Sequence, residues 1–262
     1  MQQFKKLAIA GAVSALMMGA GVAEAHVSYN TDGSVNGNAA AGAGTWSGGA
    51  AAGYVGNLPV NWIANVHNMS TPNVSYEVST ANAADEGVSY TVQSHNNKWN
   101  PTSSWGAALG FGLIDMHAAG NLTIEVQADT NAGSIFTPGF TVFSGWADAG
   151  TGNKHQAWNN SGDLLNPNTL DATGLTGIGY SSTTTAGGST SLTLTNLAAG
   201  QYSVFIGGNA TGCTAGGSCA SPSNQQYIAN ITASPVPVPA AAWLMGSAIL
   251  GLAGMRRKVK VA

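Results

Sequence analysis

The chain reads as all-β, a β-sandwich or jelly-roll-like domain with Gly-rich loops, and three observations predict it. Short runs alternate apolar and polar residues in period two, the spacing that gives a strand one buried and one wet face. Gly, Asn and Asp clusters separate these runs with turn chemistry. Helix signals are nearly absent between the two ends, where many short strands with such turns point to a sandwich. Six of the seven Trp, with Phe, Tyr, Val, Ile and Leu spread over about 200 residues, supply the apolar area for one core.

The N-terminal segment stands apart from this pattern. Residues Met1 to Ala25 begin with Lys5 and Lys6, continue through an apolar stretch from Leu7 to Val22, and close on Ala23-Glu24-Ala25, the small-x-small pattern that signal peptidase accepts. The stretch is short for a membrane span and is broken by Gly11, Gly19 and Gly21. It is expected to be a cleaved leader (1–25), which makes His26 the first residue of the mature chain.

Charge separates the ends from the middle just as sharply. Six of the eight basic residues are Lys5, Lys6, Arg256, Arg257, Lys258 and Lys260. Between His26 and Ser234 only Lys98 and Lys154 oppose ten acids (Asp32, Glu77, Asp85, Glu86, Asp115, Glu125, Asp129, Asp148, Asp163, Asp171), a net charge of −8. Such a domain (26–233) repels a phosphate backbone, so no nucleic-acid partner is expected.

Within the domain, residues 36–53 are low-complexity Gly and Ala around Trp46, and residues 150–185 are rich in loop-forming residues. Both are expected to be surface excursions. Val60, Trp62, Ala64 and Val66 alternate as a strand, while Val60, Ile63, Ala64 and His67 fall at helical spacing. The strand is favoured, with His67 on its outer face. The remaining strand signals are Val74-Ser-Tyr-Glu-Val78, Val88-Ser-Tyr-Thr-Val92, Leu122-Thr-Ile-Glu-Val126, Phe140-Thr-Val-Phe143, Leu192-Thr-Leu194, Tyr202-Ser-Val-Phe-Ile206 and Tyr227-Ile-Ala-Asn-Ile231. Turns are expected at Asp85-Glu86-Gly87, Ala119-Gly120-Asn121, Ala199-Gly200 and Gly207-Gly208-Asn209. Cys213 and Cys219, close together in a Gly-rich stretch of an exported chain, are expected to form a disulfide that contributes roughly 2–3 kcal/mol on the chain-entropy account.

The C-terminal segment (234–262) holds three parts in order. Pro235, Pro237 and Pro239 lack amide donors and favour an extended, unpaired backbone that a processing enzyme can grip. An apolar run from Ala240 to Met255 follows, at the short end of spanning length. Arg256, Arg257, Lys258 and Lys260 then form a basic cluster that stays cytoplasmic. With Trp243, Leu244, Gly246 and Ser247 in place, the segment resembles the PEP-CTERM sorting signal of Gram-negative bacteria in its VPxPAA-W-L-x-G-S variant. Val238 stands where the name-giving glutamate would be. The resemblance covers about the last 28 residues and implies recognition by an exosortase-type membrane enzyme, anchoring in the inner membrane before processing, and release or attachment at the surface afterwards.

No nucleophile elbow, paired-carboxylate arrangement or phosphate loop is present, so no catalytic residue is assigned and turnover is not expected. The five histidines, His26, His67, His95, His117 and His155, raise metal binding instead. A mature chain beginning at His26 offers an α-amine and an imidazole on one residue, a chelate for Cu(II) when a second imidazole joins it.

A second, diffuse resemblance bears on the same residues. The runs His26-Val-Ser-Tyr-Asn, Val60-Asn-Trp-Ile-Ala-Asn-Val-His67, Gly139-Phe-Thr-Val-Phe-Ser-Gly-Trp146 and Gly200-Gln-Tyr-Ser-Val-Phe-Ile-Gly-Gly208 resemble the MopE and CorA type of copper-responsive surface proteins from methane-oxidising bacteria. That resemblance implies a β-rich fold and copper held by two histidines and an oxidisable tryptophan near one of them in sequence. Here the nearest local match is Trp105-Gly106-Ala107, and alanine cannot coordinate. Copper binding is therefore conditional on other histidines. His67 and His155 are the preferred ligands by position in the resemblance, with His26 at the terminus and His95 and His117 as substitutes.

The expectation is an exported, surface-sorted protein without turnover that binds copper if those ligands assemble. A metal-free matrix or display protein is the first alternative, and a copper histidine-brace polysaccharide oxygenase the second. Expected partners are signal peptidase, the inner membrane, an exosortase-type enzyme and exopolysaccharide.

Overall fold

Leu122, Ile124, Val126 and Ala128 are buried, while Asn121, Thr123, Glu125 and Gln127 between them are half-exposed, the sidedness that the period-two pattern requires. The computed structural model describes residues 26–29, 60–67, 73–94, 99, 104–105, 110–146, 158–159, 176–209, 224–236 and 245. Its strands are β1 His26–Tyr29, β2 Trp62–Val66, β3 Val74–Val78, β4 Gln93–Ser94, β5 Ser104–Trp105, β6 Gly110–Met116, β7 Gly120–Ala128, β8 Pro138–Ser144, β9 Trp158–Asn159, β10 Thr176–Ser182, β11 Ser189–Leu197, β12 Gly200–Gly208 and β13 Gln225–Pro235. A short helix, α1 (Thr80–Asp85), is capped by Ser79, whose hydroxyl accepts from the Asn82 amide at 2.9 Å.

Two sheets pack face to face, as the all-β reading expects. The first has the order β1-β2-β6-β12-β8-β10, and the second β11-β7-β13-β3 with β4 also on β13. Among the described strands, β2 and β6 are the parallel pair, and every other pairing is antiparallel. Between the sheets lie Val27, Tyr29, Trp62, Ala64, Val66, Ile114, Met116, Phe140, Val142, Tyr202 and Val204 from one side, and Tyr76, Val78, Leu122, Ile124, Val126, Tyr227, Ala229 and Ile231 from the other.

The first sheet is also buried on its second face. Ile63, Asn65, Phe111, Leu113, Phe143, Ser203 and Phe205, on the positions alternating with the core set, are buried. There Phe205 stacks on Phe111 with centroids 4.6 Å apart and meets Phe143 edge-on at 5.7 Å. Burial on both faces explains why β6 lacks a period-two signature and was not among the expected strands.

Three expectations are corrected. Residues 88–92 bury Tyr90 and Val92 but form no ladder until Gln93, because local partners take their amides: Val88 N–H donates to the Ala83 carbonyl, and Val92 N–H to Thr80 Oγ1. The span 150–185, expected as loop, contains β10 on the edge of the first sheet. Finally, β13 runs through Ser234 and Pro235, in register with Asn121 and Gly120, so Pro235 is not in an unpaired segment. A proline fits at that strand end because its missing donor falls on the last rung.

Asn61 ties β2 to its surroundings. Its Nδ2 donates to the Tyr90 hydroxyl at 2.5 Å, and its Oδ1 accepts the Phe111 amide at 2.5 Å, all out of water. Asn61→Ala removes both of these buried hydrogen bonds, and is expected to cost about 2–4 kcal/mol in urea unfolding.

Burial also keeps tyrosines neutral. It raises Tyr29 and Tyr227 well above the ordinary phenol value and pushes Tyr76 up to about 12, the His67 backbone opposing this slightly from beyond hydrogen-bonding geometry. The folded state thus favours the protonated phenols, a contribution complete below the unfolded value near 10 and lost as pH rises through the folded values. Titration from pH 9 to 12, followed by tyrosinate absorbance and far-UV circular dichroism, is expected to show ionisation of these tyrosines together with loss of strand signal. Full tyrosine ionisation near pH 10 with the strand signal intact is the contrary result.

Candidate metal centre

The parallel register Trp62↔Gly112 through Val66↔Met116 brings β2 and β6 to an end together. The next residues, His67 and His117, therefore stand side by side, with ring centroids 3.9 Å apart and planes tilted by 50°. A last rung, from the His117 amide to the Val66 carbonyl at 3.1 Å, holds the two chain segments in step. Positions 67 and 117 alternate with core-facing Val66 and Met116, which puts them on the outer face of the first sheet with Ile63, Asn65, Leu113 and Asp115.

Asp115 precedes His117 by two residues, and its Oδ2 lies 3.5 Å from His117 Nε2. A carboxylate beside Nε2 favours the tautomer with its proton there and leaves the lone pair on Nδ1. The His117 side chain is 46% exposed and that of Asp115 22%, so the pair sits at the open rim of an otherwise buried face. His67 is half-buried beside it.

Asn65 lies one step inward. It is 1% exposed, and among the described residues neither atom of its side-chain amide has a hydrogen-bond partner. A buried, unsatisfied amide costs roughly 1–3 kcal/mol and calls for a partner of another kind, such as water or an ion. Asn65 pairs in register with His26 on β1 and with Asp115 on β6, and Asp115 pairs with Gln201 on β12. His26, Asn65, Asp115 and Gln201 thus form one row across four strands.

This arrangement bears on one of the two histidines preferred from the sequence. It places His67 against His117, which the sequence offered only as a substitute, while His155 lies outside the described residues. Asp115 and Asn65 were not anticipated, and the one signal for them was that both histidines directly follow apolar stretches, at Val66 and Met116. Trp62, near His67 in sequence, points the other way, fully buried in the core with its indole N–H on the Tyr227 hydroxyl at 2.9 Å. Trp99 is likewise buried, donating to Thr141 Oγ1 at 3.1 Å. Among the described residues, no group of three or more His, Cys, Asp or Glu side chains is arranged to hold a metal ion.

Cys213, Cys219, Pro237, Pro239, Trp243, Gly246, Arg256 and Arg257 lie outside the described residues. Among those described, no helix is long and apolar enough to cross a membrane.

The donor chemistry fits a borderline metal ion. Two imidazoles, one backed by a carboxylate, and no thiolate suit Cu, Zn or Ni, and nitrogen sites bind Cu(II) most tightly of these. Two nitrogen donors alone leave the ion short of ligands.

No family model matches the chain, and no curated protein matches it. Two solved structures are similar in shape. One is CorA, described as a surface-associated copper-binding protein important in copper acquisition by Methylomicrobium album BG8, at 15% identity and a TM-score of 0.32, over 66% of this chain and 98% of that one. The other is the mercury-soaked secreted protein MopE of Methylococcus capsulatus, in which an oxidised tryptophan facilitates copper binding, at 14% identity and a TM-score of 0.38, over 84% of this chain and 97% of that one.

Proposed function

We propose that this chain is an exported, surface-sorted protein of the bacterial envelope that holds copper without turnover, through His67 and His117. The observation that carries the reading is the imidazole pair, 3.9 Å between centroids, at the rim of a face where the buried Asn65 amide has no partner among the described residues. Both structural neighbours are described as copper-binding; in this chain its own imidazole donors support the reading. Export is supported by the leader pattern of Met1 to Ala25, and sorting through an exosortase-type enzyme by the C-terminal segment.

Metal analysis of the processed protein after copper loading and dialysis tests the reading. About one copper per chain is expected, and its absence sinks the reading.

A metal-free display role is the second reading, with exopolysaccharide as the partner. It is favoured by the outer face of the second sheet, where hydroxyls pair across strands, Thr123 with Thr193 at 3.0 Å and Ser75 with Thr232 at 3.2 Å. It predicts no stoichiometric metal.

A further inference from the structure

We propose that the mature N-terminus completes the copper centre: once the leader is removed after Ala25, the α-amine and imidazole of His26 join His67 and His117. The proposal rests on the copper reading above and on cleavage at that bond.

Register carries the argument. On β1, Val27 and Tyr29 belong to the core between the sheets, so position 26 falls on the opposite face, that of Asn65 and Asp115. His26 stands directly opposite Asn65, which makes His67, two residues further along β2, its diagonal neighbour. Diagonal positions across an antiparallel pair lie about 7–8 Å apart, within reach of long side chains. Because β1 and β2 run antiparallel, the end of β1 that carries the His26 backbone nitrogen is the end nearer Val66 and His67.

In the precursor that nitrogen is a peptide amide, with no lone pair to give. Cleavage makes it an amine, which releases its proton on binding a metal. The mature residue then adds two nitrogen donors to the two imidazoles, and four nitrogens are a set that Cu(II) favours. The amide of Asn65, in the same row, 1% exposed and without a partner among the described residues, is the independent sign that this place takes a ligand or a polar group. Export and metal loading are thereby coupled, since the centre gains its full donor set only beyond the membrane where the leader is removed.

Four exported full-length forms, their N-termini verified by mass spectrometry, test this: the native chain, His26→Ala, one with Gly-Ser-Gly-Ser inserted between Ala25 and His26, and the double variant His67→Ala with His117→Ala. Four residues are inserted because a histidine third in a chain is itself a copper chelate. Circular dichroism checks each fold, and Cu(II) affinity against a competing chelator is read with the nitrogen hyperfine pattern in electron paramagnetic resonance. Both terminal changes are expected to weaken Cu(II) by at least the ~100-fold that loss of an outer-shell partner can cost, and to reduce the number of coupled nitrogens. Unchanged affinity and spectrum in both, with copper still lost from the double variant, overturns the terminal proposal and leaves the imidazole pair standing. Copper retained by the double variant, or none bound by the native chain, overturns the reading beneath it.

Discussion

Removing the two imidazoles together, His67→Ala with His117→Ala, is expected to leave the processed protein free of copper after dialysis, against about one ion in the native chain. Each alanine deletes a nitrogen donor outright, so either single variant is expected to weaken binding by more than about 100-fold, the upper end of what loss of a supporting group costs. Asp115→Asn gives a graded control. It keeps the shape at 3.5 Å from His117 Nε2 but removes the negative charge that sets the tautomer, and is expected to cost about 10–100-fold. Affinity measured against a chromophoric chelator checks all three. Copper retained in the double variant would place the ion elsewhere. The fold is expected to survive, because His117 is half out of water and His67 lies beyond the last residue of β2.

Gly112→Ala is expected to be the most damaging single-methyl change in the core. Gly112 faces Trp62 across the β2–β6 pair, and a Cβ there would collide with the indole atoms Cζ2, Cε2 and Cη2. The ring has no room to give, being fully buried and pinned through Nε1 to the Tyr227 hydroxyl at 2.9 Å. Alanine gains roughly 0.5–1 kcal/mol over glycine in a strand, whereas overpacking costs about 1–3 kcal/mol and a broken buried hydrogen bond a further 1–3. The balance is a destabilisation of about 2–4 kcal/mol, or a Tm lower by roughly 5–15 °C, measurable by calorimetry. Because the two histidines follow directly on β2 and β6, reduced copper affinity is expected with it. A Tm within about 2 °C of the native value would mean that the ring moves aside. Gly139 meets Trp99 in the same way, so the sheet uses the device on both faces.

The strands with one wet face were legible because their sequences alternate. Leu122 to Val126 and Tyr227 to Ile231 read correctly for that reason. β6 was not, since a strand buried on both sides has no period to detect. The parallel pairing of β2 and β6 was equally invisible, because no local signal links residues fifty positions apart.

Composition and order alone give the chemistry on offer: a weakly charged acidic β domain between a lysine-led apolar segment and a basic, proline-led tail, carrying five imidazoles. Those are properties of composition and order, which need no neighbours to be read. Packing of the two sheets brings His67 against His117, a meeting that no spacing along the chain announces. It also sets Trp62 in the core and buries Asn65 without a hydrogen-bond partner among the described residues. The physical reason is that a metal centre is a matter of register between strands, and register is set by the packing of the whole sheet, not by spacing along the chain.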